Sequence, residues 1–243
     1  MPVANRTRST WTVKPDVARS SLDVSIQIKD KDKKSLSTFS PIHTKSMHLL
    51  AIGPGLTLAA HEHPSLKNGK FEATVPLPGS GKYVLFDEYD PAGALPQTMD
   101  RKVVSVGGSG FAKPSWDFTT RTKTAEGLTF KMTSANLMSG MPMPITVQVL
   151  GANGRPALLK DWLAAKGHAF ATQEGAPKLY HFHPAQPGNG GGHGGHGGGG
   201  TPASGEITFH AAIDKAGAYR VFVQVMKQGA TKPTTVSFDV NAT

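Results

Sequence analysis

The chain has 243 residues, with 26 Lys or Arg, 17 Asp or Glu, ten His and no Cys. This length suits one large domain or two small ones. The lack of cysteine excludes disulfides, iron–sulfur clusters, zinc ribbons and a cysteine nucleophile. No apolar run is long enough for a membrane-spanning helix, which needs about 20 residues.

The formal net charge is +9 and the isoelectric point is about 9.7. The basic residues are spread along the chain, and the one local cluster, residues 29–34, is interrupted by Asp. The sequence has no basic stripe interleaved with aromatic residues. It also has no known motif for nucleic-acid recognition, so no nucleic-acid partner is expected. The charge is typical of a solvated basic surface, which also attracts small anions over a long range.

Short alternating segments separated by Gly and Pro follow one another along the chain, a pattern typical of β-sandwiches. Residues 1–20 are predicted to be a polar N-terminal arm; they lack the apolar stretch of a signal peptide, as a mature exported protein also would. The first half then has predicted strands at residues 22–29, 46–53, 56–63, 70–76, 82–87 and 98–106. A linker rich in Gly, Ser and Thr is predicted at 107–126.

The second half has predicted strands at residues 128–134, 145–150, 165–172, 178–183, 206–213, 218–225 and 234–240. Only residues 157–165 favour a helix, and a Gly- and His-rich loop interrupts this half at 188–200. We therefore predict an all-β protein of two tandem antiparallel β-sandwich domains, at 21–106 and 127–243.

The chain repeats one histidine pattern at a distance of 120 residues. Each copy has a His, twelve residues, and then His-x-His-Pro, followed downstream by a Gly-x-Tyr strand. The repeated histidines are His48, His61 and His63 in the first copy and His168, His181 and His183 in the second. Six of the ten His thus occupy equivalent positions, and self-similarity of this kind indicates a duplicated structural unit.

Strand periodicity places the two histidines of each His-x-His on one face. If residues 48 and 61 pair in a hairpin, its centre lies between Pro54 and Gly55; if 168 and 181 pair, the centre lies between Glu174 and Gly175. Opposed residues of an antiparallel pair have Cβ atoms about 4.5–5.5 Å apart. Three imidazoles at such distances can bind one metal ion, whereas a lone His-x-His is more often an ordinary exposed pair.

The ligand type leaves several metals open, since imidazole suits copper, zinc, nickel and iron. Three thioethers close together, at Met138, Met141 and Met143, favour copper because soft sulfur ligands bind Cu(I). Their alternative role is packing at the entry to a strand. Copper is therefore the expected cofactor and zinc the second choice.

Four further histidines are weaker candidates. By position, His43 and His210 could each supply a fourth ligand, although an ordinary surface role is the simpler interpretation of either one. His193 and His196 lie in the Gly-rich loop, which is either a flexible insertion or a metal-capturing segment.

The motif His-x-His-Pro followed by Gly-x-Tyr, in two sandwich domains, resembles bacterial exported cupredoxin-like or immunoglobulin-like metal-binding domains. The resemblance covers residues 20–106 and 127–241, and the His-x-His strand is similar to that of the copper-only superoxide dismutases. It implies a location in the cell envelope or periplasm and copper ligation by the six repeated histidines, with catalysis at His48, His61 and His63. The chain departs from that pattern at Gln97 and Pro233, where related domains carry another His, and no Arg can be assigned beside the metal.

Three functions follow as hypotheses. The first is a copper enzyme that dismutates superoxide, the second is a copper-binding or delivery protein without catalysis, and the third is a structural subunit of an envelope or S-layer assembly with vestigial sites. The expected small partner is accordingly superoxide or copper itself.

Overall fold

The computed structural model describes residues 7–16, 18–93, 95–107, 112–134, 137–182, 184 and 205–243. The chain forms two compact units, unit 1 at Met1–Pro114 and unit 2 at Ser115–Thr243. In the described ranges every regular element is a strand, so the predicted all-β class is confirmed. No helix that could cross a membrane occurs among these residues.

Unit 1 is a sandwich of two antiparallel sheets, with strand order β1-β2-β7-β6 in one and β3-β8-β4-β5 in the other, where β9 also pairs with β8. Its strands are β1 (Arg8–Asp16), β2 (Ser21–Lys29), β3 (Phe39–Ser40), β4 (His48–Gly53), β5 (Thr57–Glu62), β6 (Leu66–Lys67), β7 (Lys70–Pro76), β8 (Gly81–Pro91) and β9 (Thr98–Val106).

Unit 2 repeats this architecture, with strand order β10-β11-β12-β16 in one sheet and β13-β17-β14-β15 in the other, where β18 also pairs with β17. Its strands are β10 (Thr122–Ala125), β11 (Leu128–Ser134), β12 (Pro142–Leu150), β13 (Leu159–Lys160), β14 (Gly167–Thr172), β15 (Leu179–Phe182), β16 (Glu206–Ala212), β17 (Gly217–Lys227) and β18 (Thr234–Ala242).

Each core forms where the apolar faces of the two sheets meet, because alternate residues of a strand point to opposite faces. In β2, for example, Leu22, Val24, Ile26 and Ile28 are buried in the core of unit 1. One buried tyrosine marks the same corner in each unit: Tyr83 donates its hydroxyl to the carbonyl of Gly79, and Tyr219 donates to that of Lys215. This matched contact shows that the sequence repeat is a structural repeat.

Three segments differ from the sequence-based expectation. Residues 8–16, expected in a polar arm, form β1 because Trp11 and Val13 alternate with polar residues and pack against the core of unit 1. Residues 157–165, expected to be helical, contain the short strand β13 instead, paired with β17. A helix of nine residues is marginal on its own, and burial of Leu159 and Leu163 outweighs its propensity. The expected linker also contains β10, which pairs with β11.

Candidate metal centre

The candidate site of unit 1 lies on the face of the β4–β5 hairpin that points away from the core. Leu49 and Ala51 of β4 enter the core, so His48 and Leu50 point to the opposite face. That face is nevertheless covered, because both His48 and Leu50 have an exposed fraction of 0%. His61 and His63 are half-buried, so the site is enclosed on the His48 side and accessible on the other.

Three ring nitrogens converge at this place. The Nδ1 of His48 lies 3.2 Å from the Nε2 of His61, and the Nε2 of His63 lies 3.1 Å from the same atom. All three ligand atoms lie within 4.8 Å of one another. Metal–nitrogen bonds of about 2.0–2.1 Å in a tetrahedral site place neighbouring nitrogens roughly 3.3 Å apart. The residues therefore fit one transition-metal ion with three imidazole ligands.

The second nitrogen of the buried ring fixes its orientation. The Nε2 of His48 lies 2.9 Å from the carbonyl oxygen of Ile42. A carbonyl oxygen only accepts, so Nε2 must carry the proton, and the lone pair of the neutral ring lies on Nδ1, toward His61. Metal-ligating histidines are commonly held in this way by a backbone carbonyl.

A strained turn supplies that carbonyl. Ile42 and Lys45 exchange two backbone hydrogen bonds, and the residues between them, His43 and Thr44, have φ of 46° and 71°. Two consecutive positive φ values define a type I′ turn, which Asn and Gly favour and other residues adopt at about 1–2 kcal/mol each. Unit 2 has the same turn between Trp162 and Ala165, with φ of 55° at Leu163 and 60° at Ala164.

The hairpin register differs from the predicted one by two residues. The structure pairs Leu50 with His61 and Phe170 with His181, rather than His48 with His61 and His168 with His181. In unit 2 the centre lies one residue later than expected, at a turn where Gly175 and Ala176 have positive φ. In unit 1 the turn at Gly55 and Leu56 accounts for part of the shift, and a β-bulge between Ala51 and Ile52 accounts for the rest. A shift of two residues keeps every side chain on its face, so the histidines still share one side.

In unit 2 the structure brings together two of the three predicted ligands. The Nε2 of His181 lies 3.5 Å from the Nδ1 of His168, and the Nε2 of His168 donates to the carbonyl of Trp162 at 3.0 Å. His168 has an exposed fraction of 0%, like His48. The predicted third ligand, His183, lies outside the described residues.

The other predicted candidates are not gathered into either cluster. The ring of His43 lies 6.0 Å from that of His48, beside the three converging nitrogens but not among them. His210 is exposed on β16, which belongs to the other sheet, so it points away from the sandwich on the side opposite His168. The loop histidines, His193 and His196, lie outside the described residues.

The methionines form a surface feature of their own. Met138 and Met141 are 46% and 51% exposed at a turn next to the start of β12, and Met143 is partly buried against the core of unit 2. The turn follows Leu137, which bridges to Ala242, and Ala242 pairs with Gly217 at the start of β17. His168 pairs with Gln224, near the other end of β17, so the thioethers are not near the buried histidine of unit 2.

Sequence reasoning missed Glu88. In β8 this residue pairs directly with His48, and it is on the same face because Tyr83, Leu85 and Tyr89 point into the core. Its exposed fraction is 6%, and its Oε1 accepts a hydrogen bond of 2.7 Å from the side chain of Gln97. Aligning Tyr83 with Tyr219 makes Glu88 equivalent to Gln224, but the pairing of Glu88 with His48 is a long-range contact that the sequence repeat does not give.

A second buried carboxyl lies on the core face of the same strand. Asp87 pairs with Asp100 of β9, and it accepts hydrogen bonds from the hydroxyl of Ser9 and from the backbone N–H of Asp100. Burial, with a further contribution from the charge of Asp100, raises the pKa of Asp87 to about 7. Because β1 carries Ser9, this carboxyl links the strand nearest the N-terminus to the sheet that carries the histidines.

A shallow open cavity of about 270 Å³ adjoins the exposed side of the histidine cluster. Its lining includes His63 together with Glu62, Lys67 and Glu72. Two carboxylates and one ammonium group give this approach a negative local balance, in contrast to the positive net charge of the chain.

Comparison with known proteins gives the following matches. Residues 123–243, nearly all of unit 2, match a family model described as a domain of unknown function, DUF8832. No curated protein matches the chain. Among solved structures, FdeC, an Escherichia coli adhesin, is 14% identical with a TM-score of 0.29, over 99% of this chain and 65% of that chain.

Two other similar structures are a bacterial integrin-binding protein and an S-layer protein. Invasin, a bacterial integrin-binding protein, is 13% identical with a TM-score of 0.27, over 98% of this chain and 40% of that chain. The S-layer protein rSbsC(31-844) is 13% identical with a TM-score of 0.24, over 92% of this chain and 23% of that chain. This chain thus spans less than two thirds of the length of each of these structures.

Proposed function

We propose that unit 1 binds one copper ion through His48, His61 and His63, and that the protein is a copper-binding cell-envelope protein with superoxide dismutase-like activity. The observation that carries the proposal is the convergence of three ring nitrogens within 4.8 Å of one another. Three imidazoles alone suit either copper or zinc, and copper is preferred on the sequence resemblance and on the soft thioethers that the chain exposes at Met138 and Met141. A second ion is proposed in unit 2, at His168, His181 and His183.

Bound copper would supply one-electron exchange with superoxide, so that two superoxide ions and two protons give dioxygen and hydrogen peroxide. The chain's own residues would hold the ligands in position and give a small molecule access to the metal. Ile42 holds the ring of His48 in the tautomer that binds metal, and the half-buried His61 and His63 leave one side of the site open to a small molecule. The net charge of +9 would favour the arrival of an anion at long range.

A second function, copper binding and release without catalysis, is favoured by the charges around the cavity beside His63. Glu62 and Glu72 outnumber Lys67 there, and this balance attracts metal cations and repels superoxide at short range. Copper would then enter and leave by this approach.

The proposed location is the cell envelope, with an S-layer or similar assembly as the partner. This part of the proposal rests on the sequence resemblance. The most specific protein that the sequence resembles is the copper-only superoxide dismutase-like subunit of the deinococcal S-layer deinoxanthin-binding complex. A structural subunit with vestigial sites remains the outcome if the histidines bind no metal.

The test uses the full chain loaded with Cu(II) or Zn(II) and then freed of excess metal. Elemental analysis measures the metal content, electron paramagnetic resonance detects nitrogen ligands, and superoxide decay measures activity. The matched control replaces His48, His61 and His63 by Ala. Stoichiometric copper with nitrogen hyperfine structure and superoxide decay at least tenfold faster than in the control would support the enzyme.

The other outcomes separate the alternatives. Stoichiometric copper that passes quickly to a chelator, with superoxide decay equal to that of the control, would support copper handling. Metal content equal in the wild type and the control would contradict any role of the unit 1 histidines in metal binding.

A further inference from the structure

The two units differ at the residue that pairs with the buried histidine. His48 is opposite Glu88, whereas His168 is opposite Gln224. The two positions are equivalent, because β8 and β17 each start from a Gly-x-Tyr segment whose tyrosine makes the same backbone contact. One site thus has a carboxylate beside it and the other has a neutral amide of nearly the same shape.

Both side chains are buried, with exposed fractions of 6% for Glu88 and 3% for Gln224. Each also has a polar neighbour: Glu88 accepts from Gln97, and Gln224 donates to the hydroxyl of Thr235. Burial matters for the charge, since a carboxylate away from bulk water acts on its neighbours through a low effective dielectric constant. Directly paired residues have Cβ atoms about 4.5–5.5 Å apart, so Glu88 lies next to the metal-binding ring.

From this difference we infer that Glu88 is a positioning and charge-setting residue that makes the unit 1 site select the divalent over the monovalent copper ion. The inference rests on the proposed function. A fixed negative charge beside the ligands stabilises Cu(II) more than Cu(I), because the interaction energy scales with the charge of the ion. Glu88 acts through His48 and the local field, since it is not one of the three groups whose ligand atoms converge.

Neutral imidazole ligands leave the full charge of a bound ion, two for Cu(II) and one for Cu(I), to interact with the Glu88 carboxylate. In unit 2 the neutral Gln224 leaves the first histidine without a carboxylate on the paired position of β17.

The test compares Cu(II) and Cu(I) affinities in the full chain, measured by competition with a chelator specific for each ion. His168→Ala and His181→Ala are introduced in every sample to limit binding at unit 2. In this background, Glu88→Gln is compared with the parent, with Glu88→Asp and with Asp32→Asn, which removes the same charge from an exposed turn. Gln is a natural residue at the equivalent position, so the fold should accept it.

We expect Glu88→Gln to weaken Cu(II) binding at least tenfold more than Cu(I) binding, which corresponds to about 1.4 kcal/mol. Glu88→Asp should keep most of the preference, and Asp32→Asn should change the ratio less than twofold. An unchanged ratio, or an equal loss for both ions as expected from a structural defect, would overturn the inference. A parent that binds neither ion would instead overturn the proposed function on which it depends.

Discussion

His48 and His61 direct ring nitrogens at each other across 3.2 Å, although the first is fully buried and the second is half-buried. The two ligands therefore have different structural roles. His48 belongs to the packed interior and is held by the backbone, whereas His61 can change with little effect on packing. This difference makes His61 the better place to separate metal binding from folding.

Replacing His61 by Ala should abolish stabilisation of unit 1 by copper while lowering the stability of the metal-free protein by less than about 1 kcal/mol. A ligand that binds only the folded state, present at a concentration 100 times its Kd, raises the free energy of unfolding by about 2.7 kcal/mol. The measurement is thermal or denaturant unfolding with and without metal, and His210→Ala, at an exposed position, serves as the control. Equal responses of the two variants to copper would contradict the assignment.

Asp87 should make unit 1 less stable as the pH rises from about 4 to about 7. In the folded state burial raises the pKa to about 7 from an ordinary value of 3.8, so over this range the unfolded state binds fewer protons than the folded state. Stability must then fall with rising pH and level off above the folded pKa. Asp87→Asn, which keeps the shape but cannot ionise, should lack this contribution.

The measurement is denaturant unfolding of the wild type and Asp87→Asn at several pH values, since other groups cancel in the difference. From pH 4 to 8 the wild type should lose on the order of 2–4 kcal/mol relative to the variant. A difference that is constant with pH would show that Asp87 ionises equally in both states.

Thr44→Asn should stabilise unit 1 by about 1 kcal/mol, because a β-branched residue at a φ of 71° is strained and Asn adopts this region readily. Thr44 is exposed, so no packing is lost. Denaturant unfolding checks the gain, and copper affinity should be unchanged because the carbonyl of Ile42 stays in place. A loss of stability would indicate that the threonine side chain itself supports the turn.

In unit 2, Arg220→Leu should destabilise the fold by about 3 kcal/mol or more. Arg220 donates to both carboxylate oxygens of Asp239, at 2.7 and 2.9 Å, and the Asp239 side chain is only 6% exposed. Removing the guanidinium leaves a buried charge without its partner, which is more harmful than removing both.

The double change Arg220→Leu with Asp239→Leu should therefore recover part of the loss, and a double-mutant cycle of unfolding free energies measures the coupling. A double variant less stable than Arg220→Leu alone would mean that Asp239 matters chiefly through its bond with the N–H of Asp117.

The predicted fold class, the duplication and the face shared by the histidines of unit 1 agree with the structure, because alternation with period two survives an even shift of register. The register itself was wrong. It depends on turn residues such as Leu56 and Ala176, whose positive φ values are not favoured by their residue types. A rule based on turn-forming residue pairs therefore does not give the register, and in unit 1 a β-bulge between Ala51 and Ile52 adds to the difference.

The surroundings of the site were harder to predict than the ligands. The carbonyl of Ile42 carries no sequence signal, and the pairing of His48 with Glu88 joins residues that lie 40 positions apart along the chain. The strand assignment of residues 8–16 was missed because charged residues outweigh the alternation of Trp11 and Val13. Such long-range pairing depends on which sheet edge is free, which composition does not encode.

The backbone acceptor at residue 42, repeated at 162, has a practical consequence for protein engineering. Because a peptide carbonyl rather than a side chain sets the protonation of the innermost imidazole, no substitution can remove that acceptor without rebuilding the loop. Grafting this centre onto another β-sandwich would therefore require the whole segment 42–63, including its turn at residues 43 and 44, and not only the three histidines.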